Sequence, residues 1–214
     1  MIELRIFCEG STEVNFARDV LKPHLRRHNV FLKDPIDLKG IKPFATIKPR
    51  IAGILGQRRA HHFLTTMFDL YALPDFPGDP GSSRPGSLRA EAIEQAMYAH
   101  YPNPGFIPYI QVYEFEALVF VDLDQLTAQF PDGEAKGAPE RLQRARAGKA
   151  PEDINDGPAT APSQRLAREI PTYGDLKPLA GPQIAARIGL HRLRDACPHF
   201  NAWLNRLEGL AAAL

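Results

Sequence analysis

Five carboxylates, Glu9, Glu13, Asp69, Glu114 and Glu116, stand at places where an α/β chain could bring them together. Glu9 closes the apolar run 2–8 and leads into Gly10-Ser-Thr-Glu13. Asp69 ends the apolar run 62–68, and Glu114 and Glu116 follow the run 106–112. In a parallel sheet all strand carboxyl ends lie on one side, and ligands collect in the crevice beyond them. Acids gathered there repel one another unless they are protonated or bridged by cations. Mg²⁺ (or Mn²⁺) suits such a set, binding through a few carboxylates while keeping waters for a phosphate substrate. A metal so held can polarise a phosphoryl oxygen and lower the pKa of a bound water. Any single acid on a loop is most simply a solvated carboxylate, and Glu13 alone could merely face the helix dipole. Acids at three strand ends favour a shared site.

The elements that must position them follow from periodicity. Residues 2–8 read as a strand and 13–27 as an amphipathic helix with Phe16, Val20 and Leu21 inward. Gly10 would let the chain turn, with Ser11 or Thr12 capping the helix. A weak strand at 35–38 precedes a helix at 49–57, with Pro49 in the first helical position. The strand 62–68, a Pro/Gly-rich loop at 74–86, a helix at 87–101 and the strand 106–112 complete the pattern. This alternation predicts a mostly parallel sheet of about four strands flanked by helices. The helical spacing of Phe115, Leu118 and Val119 implies that only one of Glu114 and Glu116 faces the crevice. Beyond residue 122 the pattern is helical and loop-rich: a helix at 122–130, an exposed excursion at 131–162, and helices at 163–170 and 183–210. The last is broken near Gly189 and Pro198. Residues 1–121 are read as the α/β core. Residues 122–214 are read as an extension packed on it, since the final helices have too little apolar surface for their own core.

With 214 residues, 44% hydrophobic, and a net charge of +1, the chain is neither disordered nor a basic tail binder. Nucleic acid would need a local patch. Ser163 and Arg165 at a helix start could hold an anion, although capping alone explains Ser163. Arg187, His191 and Arg194, at spacings of four and three, would share a helical face and contact phosphate; a solvated face is the plainer alternative. Lys177, in a mobile stretch after Tyr173, could stabilise charge. The run Arg58-Arg59-Ala-His61-His62 precedes a strand and so belongs at the opposite, amino end of the sheet, as a solvated turn. Cys8 and Cys197 lack metal or disulfide spacing and suit a reducing compartment. Cys197 and His199 lack two further ligands for zinc. Neither a signal peptide nor a membrane span is expected, so the chain reads as cytoplasmic. Without a Gly-Lys-Ser/Thr phosphate loop, ATP hydrolysis would belong to a partner.

The strand-Glu-Gly arrangement at residues 2–10, with an acid after the third strand, resembles the Toprim fold of topoisomerases, primases and overcoming-lysogenization-defect nucleases. The segments Cys8-Glu-Gly-Ser-Thr-Glu13, Met67-Phe-Asp-Leu-Tyr71, Glu114-Phe-Glu-Ala-Leu-Val-Phe120 and Ala161-Pro-Ser-Gln-Arg165 are more closely similar to a family of small, uncharacterised, Toprim-related bacterial proteins. Ile188-Gly-Leu190 and His199-Phe-Asn-Ala-Trp203 add to the likeness. That resemblance implies a Toprim-like core and a neighbouring ATPase of the structural-maintenance-of-chromosomes type, in loci suspected of phage defence. One departure stands out: Toprim enzymes carry Asp-x-Asp where this chain has Asp69-Leu-Tyr71. Glu114, Glu116 or, more weakly, Asp75 could replace the missing ligand. The reading is an Mg²⁺-dependent phosphodiesterase acting on DNA or RNA. Glu9, Asp69, Glu116 and Lys177 would be catalytic, and Glu9, Glu13, Asp69, Glu114 and Glu116 would hold metal. A non-catalytic subunit that binds a partner or senses a ligand is the alternative. A metal-assisted phosphoryl-transfer enzyme with a small substrate is the third reading.

Overall fold

A computed structural model describes residues 1–57, 61–71, 73–154 and 157–212. Its strands are β1 (Ile2–Cys8), β2 (Val30–Leu32), β3 (Ile36–Asp37), β4 (His62–Asp69), β5 (Phe106–Ile107) and β6 (Ile110–Gln111). Its helices are α1 (Ser11–Phe16), α2 (Lys22–Arg26), α3 (Phe44–Gly56), α4 (Gly86–His100), α5 (Gln125–Gln129), α6 (Ala138–Arg146), α7 (Pro162–Glu169), α8 (Thr172–Ile188), α9 (Leu190–Ala196) and α10 (Pro198–Glu208).

β1 and β4 pair in parallel along their length, from Glu3 opposite His62 to Cys8 opposite Met67. β2 and then β3 flank β1; β5 and then β6 flank β4, again in parallel. The expected four strands are thus six, because both outer lanes are interrupted. The outer lane beside β4 breaks at Pro108, which has no N–H for a ladder. Thr66 bridges the gap: its Oγ1 accepts from Tyr109 N and donates to Tyr109 O, both at 2.8 Å.

Period-two alternation splits the core into two layers. Leu4, Ile6, Cys8, Phe63 and Met67 face α1, α8 and α10, while Phe7, Leu64 and Phe68 face α3 and α4. The first layer runs from Ile2 to Leu210, so residues on both sides of position 122 share it. Residues 131–162 are not a purely exposed excursion: α6 lies within them, and Ala135, Ala138, Leu142, Ile154 and Ala161 are buried.

Prolines account for most differences from the expected helices. α3 begins five residues early, after Pro43, and Pro49 sits inside it. α1 continues through a π-helical turn, Ala17–Leu21, into α2. Lys22 N–H donates to Ala17 O, and this widened turn immediately precedes Pro23, whose ring and missing N–H disfavour a regular helix interior. The stretch after Tyr173, expected to be mobile, is instead α8, with Pro178 and Pro182 inside. Pro182 cannot donate to the carbonyl of Pro178, and Asn15 Nδ2 from α1 does so at 2.8 Å. The breaks at Gly189 and before Pro198 fall where the sequence places them.

Candidate functional site

Glu9, Glu13, Asp69, Glu114 and Glu116 meet at the carboxyl ends of β1 and β4, held in place by successive backbone contacts. Glu9 Oε2 accepts the Asp69 N–H at 3.0 Å. Asp69 Oδ1 accepts the N–H of Phe115, the residue between Glu114 and Glu116, at 3.0 Å. Glu13 Oε2 reaches back from the first turn of α1 to the N–H of Gly10, beside Glu9, at 2.9 Å. Three of the acids therefore fasten backbone at or next to another acid. Glu114 turns to α7 instead, accepting Ser163 N at 2.8 Å and Ser163 Oγ at 2.9 Å.

Both Glu114 and Glu116 belong to this group, against the expectation of one. Glu114 is extended, and Glu116 lies in the short 3₁₀ turn Phe115–Ala117 that starts immediately after it. A regular helix would have turned them apart. Tyr113, just before, holds φ at +60°, a conformation uncommon for non-glycine residues. The Tyr71 N–H steadies that turn by donating to Tyr113 O at 2.8 Å. Tyr71 thus supports the loop that brings Glu114 and Glu116. Asp75 is exposed, also with a positive φ.

Lys177 comes from α8. Its Nζ lies 2.9 Å from Glu116 Oε2, and Tyr173, one helical turn earlier, donates its hydroxyl to Glu116 Oε1 at 3.1 Å. Glu116 is fully buried, and its Oε2 accepts no hydrogen bond of good geometry. That oxygen is held by the Lys177 ammonium. Gly181, one turn beyond Lys177, keeps the packing tight: a Cβ there would come within 3.2 Å of the Phe115 ring and 3.3 Å of Tyr173 OH.

The electrostatics follow from burial and like charge. Burial, then the nearby Glu13 and Glu9, push Asp69 well above the ordinary carboxylate range. Burial and the neighbouring Glu116 and Glu9 bring Glu13 up to about 7. Glu9 and Glu114 are raised for the same two reasons. Burial opposes the charge on Lys177, but Glu116, Asp69 and Glu114 outweigh it and hold the ammonium protonated. One ammonium cannot balance five carboxyl groups, so the site draws in protons or further cations. Glu9, half-buried, and Lys177, whose side chain is 30% exposed, form its accessible side.

Gly10 has φ −151° and ψ −166°, which any residue adopts, so the turn after Glu9 needs no glycine. Gly10 itself occupies the N-cap, with Ser11 first in the helix; Glu13, rather than Ser11 or Thr12, supplies the side-chain bond.

The basic candidates lie elsewhere or are engaged. Arg165 donates to Thr160 O at 2.6 Å and Ala145 O at 2.8 Å, bracing loops. Arg187 belongs to α8 and bonds Gln129, whereas His191 and Arg194 belong to α9; Gly189 intervenes at φ +83°, so they share no helical face. His191 pairs with Asp195 at 3.0 Å, and Arg194 turns to Asn201, Asn205 and Glu208 on α10. His62 begins β4, at the amino end of the sheet; Arg58 and Arg59 lie outside the described residues. Tyr173, Asn15 and the pairing of Ser163 with Glu114 escaped the sequence reading. Nothing in their local sequence links them to partners 49 or more positions away.

No described helix is long and apolar enough to cross a membrane. No match is found among curated proteins or among solved structures. A family model described as domain of unknown function DUF4276 matches residues 8–208, and the chain belongs to that family.

Proposed function

We propose that this protein is an Mg²⁺-dependent phosphodiesterase acting on DNA or RNA, with Glu9 and Asp69 as the core of its metal site. The observation that carries the reading is the group of five carboxyl groups against one ammonium at the carboxyl edge of a parallel sheet. The donors fit the ion: hard carboxylate oxygens, one of them, Glu116 Oε2, buried with the Lys177 ammonium 2.9 Å away. Among the described residues, the group of three potential ligands whose donor atoms all lie within 4.8 Å of one another is elsewhere, at His24, His28 and Glu208. Mg²⁺ needs no such preformed triad, since it takes one or two carboxylates and keeps its waters. A bound Mg²⁺ would supply Lewis-acid stabilisation of charge on a phosphoryl oxygen. Lys177, fixed by Glu116, would offer its ammonium to a phosphate oxygen from the accessible side. Glu13 and Glu114, tied to Gly10 and Ser163, would orient the loops that carry Glu9 and Glu116. Service in phage defence beside a partner ATPase rests on the Toprim-related resemblance.

A non-catalytic reading has its own support. Tyr71 replaces a Toprim acid, Lys177 already acts as a resident cation, and Leu176 and Leu179 beside it are 42% and 54% exposed. Such a chain would dock on a partner or sense a ligand through the same crevice. The assay that separates the readings uses single-stranded, duplex and transfer-RNA substrates, with and without the product of the neighbouring gene. The enzyme reading expects cleavage that needs Mg²⁺ or Mn²⁺, is stimulated by the partner, and falls at least 100-fold (about 3 kcal/mol in barrier) in Glu9→Ala or Asp69→Ala. Cleavage that survives Glu9→Ala and EDTA contradicts it. Intact partner binding with no cleavage under any condition assigns the protein to the second reading.

A further inference from the structure

His24, His28 and Glu208 form a second grouping, separate in sequence from the acids at the sheet edge. His24 lies in α2 and His28 in the turn after it, four residues on, a spacing that puts two imidazoles on one helical face. Glu208 is the last residue of α10, 184 positions from His24. His24 Nε2 lies 2.6 Å and His28 Nε2 3.9 Å from Glu208 Oε1, with the two rings 4.9 Å apart. Ligands around a tetrahedral Zn²⁺ at 2.0–2.1 Å stand about 3.3 Å from one another, so these two separations bracket what the ion requires.

We infer that His24, His28 and Glu208 bind a divalent transition-metal ion of the Zn²⁺ class, joining the first helical segment to the last helix. Two imidazole nitrogens and a carboxylate oxygen match the donor types of a three-ligand zinc site, with the fourth position left to water. Side-chain exposures of 20% for His24, 39% for His28 and 13% for Glu208 give the ion a path from solvent. The supporting shell is built. Arg194 donates to Glu208 Oε1 at 2.8 Å and to Asn201 at 2.8 Å, and it also bonds Asn205, fixing the carboxylate as outer partners of metal ligands do. Its positive charge opposes the ion and limits the affinity. Without metal the same atoms form a network of His24, Glu208 and Arg194. The π-helical turn just before α2 has a place here, since it sets the rotation at which His24 and His28 meet α10.

The test uses full-length, tag-free protein, stripped with chelator and titrated with Zn²⁺ and with Co²⁺. Wild type should retain one Zn²⁺ per chain at this site after dialysis and give visible Co²⁺ absorption that Zn²⁺ abolishes. His24→Gln or His28→Gln should weaken Zn²⁺ binding at this site at least tenfold and change the Co²⁺ spectrum, and the double variant should abolish this site's Zn²⁺ binding and its Co²⁺ absorption. Glutamine can still hydrogen-bond Glu208, and a cooperative melt shows that each variant is folded. His100→Gln, on α4 and outside both proposed metal sites, should leave the Co²⁺ spectrum unchanged. Equal Zn²⁺ affinity in wild type and the folded double variant overturns the inference. So does the absence of Zn²⁺ binding by wild type, which leaves the metal-free network.

Discussion

Glu13 shows how a residue within hydrogen-bonding reach of its own helix start can serve the site and weaken the fold. Its carboxyl caps Gly10, yet burial and the nearby Glu116 and Glu9 raise its pKa to about 7, above the ordinary 4.5. A pKa raised on folding means that the native state holds the extra proton across that interval. The stabilisation is complete below about pH 4.5 and is lost as pH rises through about 7. Glu9, Asp69 and Glu114, all raised, act with the same sign. The melting temperature of metal-free protein should therefore fall as pH climbs through this window. Glu13→Gln, which can still accept the Gly10 N–H, should stabilise the protein at neutral pH by about 1–3 kcal/mol and flatten the dependence. Denaturant titrations at several pH values check this; an unchanged slope in Glu13→Gln would remove Glu13 from the charge cluster. Lys177 acts in the opposite sense. Lys177→Met leaves Glu116 buried without its cation and should cost toward the low end of about 3–5 kcal/mol, since the lysine keeps partial solvent access. Added Mg²⁺ should then stabilise this variant more than wild type. At the residue scale Glu9, Asp69, Glu114 and Glu116 were legible because each stands at or just beyond the end of an apolar run. Lys177 and Tyr173 were not positioned, because only the packing of α8 brings them to Glu116.

α8 is also the clearest case of an element hidden from sequence. Pro178 and Pro182 argue against a continuous helix, and each removes a backbone donor. The helix persists because α1 supplies what Pro182 withholds, through Asn15 to the Pro178 carbonyl at 2.8 Å. That bond holds Lys177 beside the acids. Asn15→Ala should cost about 1–2 kcal/mol in unfolding free energy and lower the affinity for divalent metal. Asn15→Asp, which offers oxygens where a donor is needed, should be no better than alanine. If Asn15→Ala melts like wild type, the fastening of α8 lies elsewhere. Elements without such compensation were read correctly from pattern: β1 and β4 are apolar runs of strand length, α4 is rich in helix formers such as Ala, Glu, Leu and Met, and Gly189 and Pro198 mark helix boundaries as their chemistry requires. The outer strands were harder, since two- and three-residue strands leave too little alternation to read.

At the scale of the molecule, two apolar layers enclose a parallel sheet whose carboxyl edge is crowded with acids. The sheet's direction and the convergence of Glu9 with Asp69 followed from the order of strands and helices. The basic surface proposed from sequence did not assemble, because Gly189 separates Arg187 from Arg194 and the guanidinium of Arg165 braces its own loops. Affinity of the isolated chain for nucleic acid should accordingly be weak and salt-sensitive, with a partner supplying the missing positive charge. The claim on which the functional reading depends is that the acids hold a divalent cation. Crystals grown in Mn²⁺, measured for anomalous scattering above and below the manganese edge, test it most directly. The account predicts a manganese peak against the carboxylates of Glu9 and Asp69, absent in Asp69→Asn. A wild-type crystal at saturating Mn²⁺ with no peak in that crevice would contradict it.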